Sequence, residues 1–156
     1  MSRVERLAVV VPARNESGLL PRCLRALDLA ASRLEREFPQ VALRIVVVLD
    51  SCSDDSAAVV AKFPDVLGLR VSVGTVGAAR QAGVRQLDAA AAAPDWFATT
   101  DADSAVPPSW LVHQVRTAQS GVDLLLGTVI PDDTEISPDQ FARWQALHHT
   151  SEGHGH

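Results

Sequence analysis

The sequence of 156 residues contains no tyrosine, and aromatic residues make up only 4% of it. A hydrophobic core must therefore be built mainly from valine, leucine and alanine side chains. Acidic residues outnumber basic ones, and the formal net charge is −5 at pH 7. The chain thus lacks the basic face that nucleic acids and anionic membrane surfaces require, and we expect no nucleic-acid partner.

Long apolar runs are missing as well. No run approaches the roughly 18 residues that a membrane-spanning helix needs, so we expect no transmembrane segment. The first apolar run ends at Pro12, too soon for the apolar region of a secretory signal. The two cysteines, Cys23 and Cys52, form no CxxC pair. With no leader in view, we expect reduced thiols and a cytoplasmic protein.

The apolar residues that are present alternate between two periods. Continuous apolar runs, typical of strands buried on both faces, occupy residues 7–11 and 45–49. Residues 69–73, 96–100 and 122–130 are also predicted strands. Helical periodicity or helix-start signals occupy residues 20–38, 57–61, 77–92 and 107–118, and continue from residue 138. This alternation predicts an α/β fold, namely a doubly wound, mostly parallel sheet with helices on both faces. The polar stretch from Pro131 to Pro138 is the predicted linker.

Polar residues follow three of the predicted strands. In open α/β sheets the ligand lies outside the carboxyl ends of the strands, so these residues are expected to meet at one edge. They are Pro12-Ala13-Arg14-Asn15-Glu16, Asp50-Ser51-Cys52 and Asp101-Ala102-Asp103.

Carboxylates dominate this predicted edge. Two carboxylates one residue apart, as in Asp101 and Asp103, can serve a hard divalent cation together with substrate phosphates. Such a metal neutralises a diphosphate leaving group as it departs. Asp50 can accept hydrogen bonds from a base N–H or a ribose hydroxyl, and Arg14 and Arg80 are the available cations for an anionic ligand.

Each of these signals also has a purely structural explanation. A lone DxD triplet is most often a turn or a solvated loop. An aspartate after a strand, such as Asp54 or Asp55, is often only a helix N-cap. Gly77 and Gly83 could serve only the close packing of a helix on the sheet. The functional prediction therefore rests on the combination of signals.

Four segments in order resemble the family 2 glycosyltransferases of the GT-A, Rossmann-like fold. The segments are residues 9–16 (VVVPARNE), 46–56 (VVVLDSCSDDS), 77–83 (GAARQAG) and 99–111 (TTDADSAVPPSWL). Together they span most of the chain. The resemblance implies a nucleotide-sugar-binding domain over residues 1–130, followed by a linker, helix and tail over residues 131–156.

The resemblance also implies a role for individual residues. Pro12, Ala13, Asn15 and Glu16 would shape a nucleotide pocket, and Asp50 would bind the nucleobase. Arg80 would lie by the diphosphate or sugar, and Asp101 by the ribose and sugar. Asp103 would be the direct ligand of Mg²⁺ or Mn²⁺, with Asp101 beside it. The donor would be a nucleoside-diphosphate sugar and the acceptor, which the sequence does not identify, would offer a hydroxyl.

The resemblance leaves the catalytic base without a candidate. Inverting members use an acid that lies after the DxD in an acceptor-binding half, and most of that half is not matched here. Late histidines, His154 or His156, could complete a metal site, or they could belong to a frayed tail. An apolar patch left uncovered by a missing half would favour a homodimer.

Three functions therefore stay open at the level of the sequence. The leading hypothesis is a metal-dependent, inverting transfer of a sugar from a nucleoside-diphosphate donor to an acceptor hydroxyl. The second is a module that binds a nucleotide sugar without turnover, since a site without a base binds more than it catalyses. The third is a nucleotidyltransferase, which would need a glycine-rich, basic phosphate loop after the first strand. Residues 14–16 (RNE) are a poor version of that loop.

Overall fold

The structure is a computed structural model that describes residues 3–90, 92–132 and 136–149. The chain divides into two compact units, Met1–Leu125 and Leu126–His156. The first unit holds the strands β1 (Arg6–Ala13), β2 (Ala42–Asp50), β3 (Val66–Val71) and β4 (Trp96–Thr99). Its helices are α1 (Leu20–Glu37), α2 (Ser56–Val60), α3 (Val76–Asp88) and α4 (Trp110–Gln119). The second unit holds α5 (Pro138–His149). None of the described helices is long and apolar enough to cross a membrane.

The four strands form one parallel sheet in the order β3-β2-β1-β4. Strand β1 is central, because it pairs with β2 on one side and with β4 on the other. The register sets Ala13 opposite Leu49 and Val10 opposite Thr99. All the carboxyl ends therefore lie at the same edge. The predicted α/β class with a parallel sheet is confirmed.

The residues of β1 alternate between two hydrophobic clusters. Leu7, Val9 and Val11 face one cluster, whose other members include the buried leucines of α1 and α4. Ala8 and Val10 face a smaller cluster with residues of α3. Both faces of the strand are thus covered by helices, which explains why its sequence is a continuous apolar run rather than an alternating one.

A fifth strand predicted at residues 122–130 is wrong, because no strand is assigned there in the structure. The apolar run does not join the sheet, and Leu124 is 72% exposed. A strand is stable only when its backbone groups pair with a neighbour, and apolar composition alone does not provide one.

Other boundaries differ by a few residues. β3 ends at Val71 rather than at residue 73, because its last pair is with Asp50 at the end of β2. Helix α3 ends at Asp88 instead of residue 92, since the chain must return to the sheet at Asp95, whose N–H donates to the Arg6 carbonyl. Of the two aspartates considered as N-caps of α2, Asp55 is the observed N-cap, although its side chain makes no capping hydrogen bond.

Asp95 fastens the start of β4 to β1 at the amino edge of the sheet. One carboxylate oxygen accepts hydrogen bonds from the N–H groups of Glu5 and Arg6, both at 2.9 Å. The other oxygen accepts from the Arg6 guanidinium at 2.8 Å. These contacts lie at the edge opposite to the carboxyl ends of the strands.

Gly83 allows α3 to approach the sheet closely. A Cβ atom at this position would lie 2.5 Å from Cγ1 of Val10 and 2.9 Å from Cγ2 of Val48. Both valines are buried in the centre of the sheet, so they have little room to move. The packing explanation for Gly83 therefore holds. At Gly77, in contrast, an added Cβ atom would meet nothing within 4 Å.

We expect Gly83→Ala to lower the free energy of unfolding by about 1–3 kcal/mol, because the added methyl group overpacks the helix–sheet contact. Gly77→Ala is the matched control on the same helix, and it should leave stability unchanged or raise it slightly. Urea unfolding followed by circular dichroism measures both. A Gly83→Ala protein as stable as the wild type would contradict the close-packing explanation.

Candidate functional site

A cleft of about 300 Å³ lies at the carboxyl edge of the sheet. It is formed by the ends of β1 and β2, by the loops that follow β1, β3 and β4, and by the start of α3. Its lining comprises Pro12, Ala13, Arg14, Glu16, Asp50, Gly74, Thr75, Val76, Ala79, Arg80, Asp101, Ala102 and Asp103. Seven of the eight predicted site residues are therefore brought together, and Asn15 is the exception. Their individual roles stay predictions.

Arg80 and Asp101 form an ion pair on one wall of the cleft. Helix α3 carries Arg80, whose Nη2 lies 2.7 Å from Oδ1 of Asp101. The two side chains are 39% and 50% exposed, so water weakens the attraction and the pair can open at small cost. The Nε atom of Arg80 is buried and has no hydrogen-bond partner within the described residues. This guanidinium therefore has donor capacity to spare for an anion.

Glu16 and Asp103 bring negative charge into the same cleft. Burial raises the pKa of Glu16 above its usual value, and repulsion from Asp103 and Asp54 raises it further. Repulsion of this kind shows that carboxylates are crowded here without enough positive charge to balance them. A cation bound between them would relieve the repulsion.

The carboxylates of the cleft could bind a divalent cation only if a bound substrate supplied further oxygen ligands. Within the described part of the chain, no group of three histidine, cysteine, aspartate or glutamate side chains is arranged to hold a metal. Asp101 is already paired with Arg80, whereas the carboxylate of Asp103 accepts a single hydrogen bond from the described residues, from Ser104 Oγ at 3.4 Å. Mg²⁺ is commonly held by one or two carboxylates together with substrate phosphates and water, and Asp103 fits that pattern. His154 and His156 lie outside the described residues.

Cys23 fixes the backbone beneath the acidic pair. Its Sγ donates to the Asp101 carbonyl oxygen at 3.5 Å. Burial raises the pKa of the Cys23 thiol to about 12, and the charges of Asp103 and Asp101 act in the same direction. The thiol therefore stays protonated at neutral pH and has a packing role. Both cysteines are free in the structure, as predicted.

Asp50 holds the segment between β3 and α3, which also lines the cleft. The carboxylate is only 4% exposed. It accepts hydrogen bonds from the N–H of Val73 at 2.9 Å and from the N–H of Gly74 at 2.9 Å. These bonds, that from Val73 foremost, lower the pKa of Asp50, and the charge of Arg14 adds to the effect. Gly74 adopts a φ of +78°, which few residues other than glycine tolerate.

Reasoning from the sequence did not identify the segment between β3 and α3 as part of the cleft. Gly74, Thr75, Val76 and Ala79 line the cleft. The first three lie between predicted elements, Ala79 lies in a predicted helix, and none of them carries a charge. Thr75 caps α3 by accepting the N–H of Ala78 at 3.2 Å. A threonine two residues before the GAARQAG segment was the available signal, since threonine is a common helix N-cap.

Asn15 joins two loops instead of facing the cleft. Its φ is +54°, in the left-handed region, which asparagine tolerates better than most residues. Its side-chain oxygen accepts the N–H of Ser53 at 2.8 Å. Asn15 thereby fastens the loop after β1 to the loop after β2.

Comparison with known proteins identifies relatives for this fold and cleft. Residues 8–154 match the sequence model of the family described as "Glycosyl transferase family 2". The chain is similar to an undecaprenyl-phosphate 4-deoxy-4-formamido-L-arabinose transferase of Klebsiella pneumoniae (strain 342), with 30% identity over 132 residues, 81% of this chain and 37% of the relative. The protein of the same name from Proteus mirabilis (strain HI4320) is 27% identical over 129 residues, 79% of this chain and 36% of the relative. The chain thus spans little more than a third of the length of these relatives.

Solved structures show the same fold. The crystal structure of S. aureus TarS 1-349 superimposes with a TM-score of 0.64 and 20% identity, over 81% of this chain and 38% of that chain. The crystal structure of TarS 1-349 in complex with UDP gives a TM-score of 0.62 and 18% identity over the same shares. At these identities the similarity concerns the fold.

The bonds of Asp50 predict a pH dependence of stability. An aspartate in an unfolded chain titrates near pH ~3.9, and the pKa of Asp50 is lower than this in the folded protein. The stabilisation by Asp50 is therefore complete above the unfolded pKa and is lost as the pH falls through the folded pKa. We expect the wild type to lose stability between about pH 5 and pH 2 more steeply than Asp50→Asn, which should be less stable at neutral pH. Urea unfolding at a series of pH values measures this, and parallel profiles would contradict it.

Proposed function

The chain belongs to glycosyl transferase family 2, and we propose that its cleft binds a nucleoside-diphosphate sugar whose sugar is transferred to an acceptor. The observation that carries the proposal is the convergence of Asp50, Arg80, Asp101 and Asp103 on one cleft at the carboxyl edge of a parallel sheet. Ligands of open α/β sheets bind at this edge. The structural neighbour described in complex with UDP agrees with a nucleoside diphosphate as part of the ligand.

Asp50 and Arg80, which both line the cleft, suit the two ends of such a ligand, the base and the diphosphate. Asp50 uses one carboxylate oxygen, Oδ2, for a single bond from Gly74, and a carboxylate oxygen can accept two. This oxygen is the proposed acceptor for a base N–H. Arg80 lines the same cleft with a side chain that is 39% exposed, and its guanidinium group is the proposed donor to the diphosphate. Asp101, which orients Arg80, is proposed to contact the ribose and sugar.

Asp103 is the proposed ligand of Mg²⁺ or Mn²⁺. When bound, the metal neutralises the diphosphate as the bond between the sugar and its phosphate breaks. The protein's own contribution is to hold Asp103 beside Glu16, where their mutual repulsion favours a cation. Inversion at the sugar carbon follows from the resemblance to inverting members of the family and belongs to this proposal.

The acceptor is proposed to be a hydroxyl, as the resemblance implies, and a second class of acceptor belongs in the assay. The Klebsiella relative is named for undecaprenyl phosphate and 4-deoxy-4-formamido-L-arabinose. A polyprenyl phosphate should therefore be tested beside sugar hydroxyls. No described acid outside the cleft is assigned as the base that would activate a hydroxyl.

The nucleotidyltransferase alternative is disfavoured by the loop after β1. A phosphate loop offers consecutive free backbone N–H groups to its ligand. Here the N–H groups of Asn15 and Ser17 donate to side chains of the loop after β2, and the N–H of Glu16 donates to Ser56 at the start of α2. They are therefore not available to a phosphate in this conformation.

Calorimetry with UDP-, GDP- and ADP-sugars in the presence of Mn²⁺ tests the donor site. We expect at least one to bind, and Asp103→Ala to weaken that binding about tenfold or more, because a charged metal ligand is lost. Asp88→Ala removes an equal charge from the exposed end of α3 and should leave binding unchanged. Equal behaviour of the three proteins toward every nucleotide would refute the proposal.

Turnover separates a transferase from a binding module. We expect the chain to bind the donor and to transfer its sugar to an acceptor hydroxyl or to a polyprenyl phosphate, with release of the nucleoside diphosphate. Product analysis by mass spectrometry, with Asp103→Ala as the inactive control, measures this. Slow donor hydrolysis without transfer would instead support a module that binds without turnover.

A further inference from the structure

Three consecutive backbone N–H groups in the loop after β1 are each bound by a different side chain from the loop after β2 or the first residue of α2. The N–H of Asn15 donates to Sγ of Cys52 at 3.4 Å. The N–H of Glu16 donates to Oγ of Ser56 at 3.0 Å, and the N–H of Ser17 donates to Oδ2 of Asp54 at 2.9 Å. We call this set of contacts the loop clasp.

Asp54 and Ser56 are the strongest members of the loop clasp. Oδ1 of Asp54 accepts both the hydroxyl of Ser56, at 2.6 Å, and the N–H of Ser56, at 3.0 Å. The hydrogen bond from the Ser56 hydroxyl lowers the pKa of Asp54 well below its usual range, and the N–H groups of Ser17 and Ser56 contribute. The carboxylate is therefore charged at neutral pH, and charge-assisted bonds are stronger than neutral ones.

The loop clasp fixes the backbone of Glu16 from one side while α1 fixes it from the other. Its carbonyl oxygen accepts the N–H groups of Leu19 and Leu20 at 3.1 and 2.8 Å. Because both of its peptide groups are held, the Cα–Cβ bond of Glu16 keeps its direction toward the cleft that the side chain lines. Arg14, two residues before Glu16, lines the same cleft and precedes the left-handed turn at Asn15.

Neither Asp54 nor Ser56 lines the cleft. Asp54 also stands close enough to Glu16 for the two charges to repel, which opposes their approach. The hydrogen bond from the N–H of Ser17 to Asp54 contributes nothing to the start of α2, because it joins two different loops. Its structural effect is to fix the position of the loop after β1.

We propose that Asp54 and Ser56 are positioning residues that hold Glu16 and Arg14 in the cleft and thereby set the affinity for the nucleotide. This inference rests on the proposed function, because it assigns the cleft to a nucleotide. It assigns no contact between Asp54 or Ser56 and the ligand. Both act through the backbone of the loop after β1.

Four variants test the proposal, with the best binder among UDP, GDP and ADP plus Mn²⁺ as the probe. Asp54→Asn and Ser56→Ala each remove part of the loop clasp and should raise the Kd about tenfold. Asp55→Asn changes the adjacent exposed carboxylate, which makes no capping hydrogen bond, and should leave the Kd within about twofold of the wild type. Asp95→Asn is the matched control, because Asp95 also accepts two backbone N–H groups but at the opposite edge of the sheet. It should lower Tm and leave the Kd unchanged.

Amide hydrogen exchange in the ligand-free protein provides the second readout. The N–H groups of Glu16 and Ser17 should exchange faster in Asp54→Asn and Ser56→Ala, while those of the central strand β2 keep their protection. Faster exchange with an unchanged Kd, or equal weakening of binding in Asp95→Asn, would overturn the proposal.

The two proposals can fail separately. If no nucleotide binds to the wild type, the proposed function fails, and amide exchange alone then decides the positioning role. Selective exposure of Glu16 and Ser17 would support it. Unchanged exchange at these two residues, or a uniform increase throughout the sheet, would refute it.

Discussion

Parallel hydrogen bonding of β1 to both β2 and β4 is the constraint on which the candidate site depends. Because the three strands run in one direction, their carboxyl ends meet at one edge of the sheet. Residues that are far apart in the chain, such as Glu16, Asp50 and Asp101, thereby line one cleft. The packing of α3 against the central strands, which Gly83 permits, adds Arg80 to the same cleft. Without this pairing the acids would be isolated loop residues.

The charged groups of the cleft differ in how firmly they are held. Asp50 is fixed by backbone N–H groups, and Asp101 is paired with Arg80. Asp103 is held less firmly, because among the described residues its carboxylate accepts only a 3.4 Å hydrogen bond from Ser104, and it repels Glu16. Buried or crowded charge is costly unless it is paired. For this reason the ligand that we propose brings a cation and a diphosphate together.

Much of the fold could be predicted because apolar periodicity reports burial. The continuous run at β1 and the helical spacing in α1 agree with the observed strand and helix. The same reasoning failed at residues 122–130, where an apolar run has no strand assigned. Periodicity measures the affinity of a segment for an apolar environment, whereas a strand also needs a partner for its backbone groups, and sequence pattern does not reveal that partner.

The sequence by itself determined which chemical groups the cleft can contain. Motif order and the position of each acid after a predicted strand identified Asp50, Asp101 and Asp103, since ligands of open α/β sheets bind at the carboxyl ends of the strands. Only the tertiary structure decided how these groups are held. Asp50 accepts a hydrogen bond from the N–H of Gly74 in a neighbouring loop. Asn15 accepts one from the N–H of Ser53 and so joins two loops instead of lining the cleft. Hydrogen bonds between loops depend on distances across the fold that local sequence does not specify.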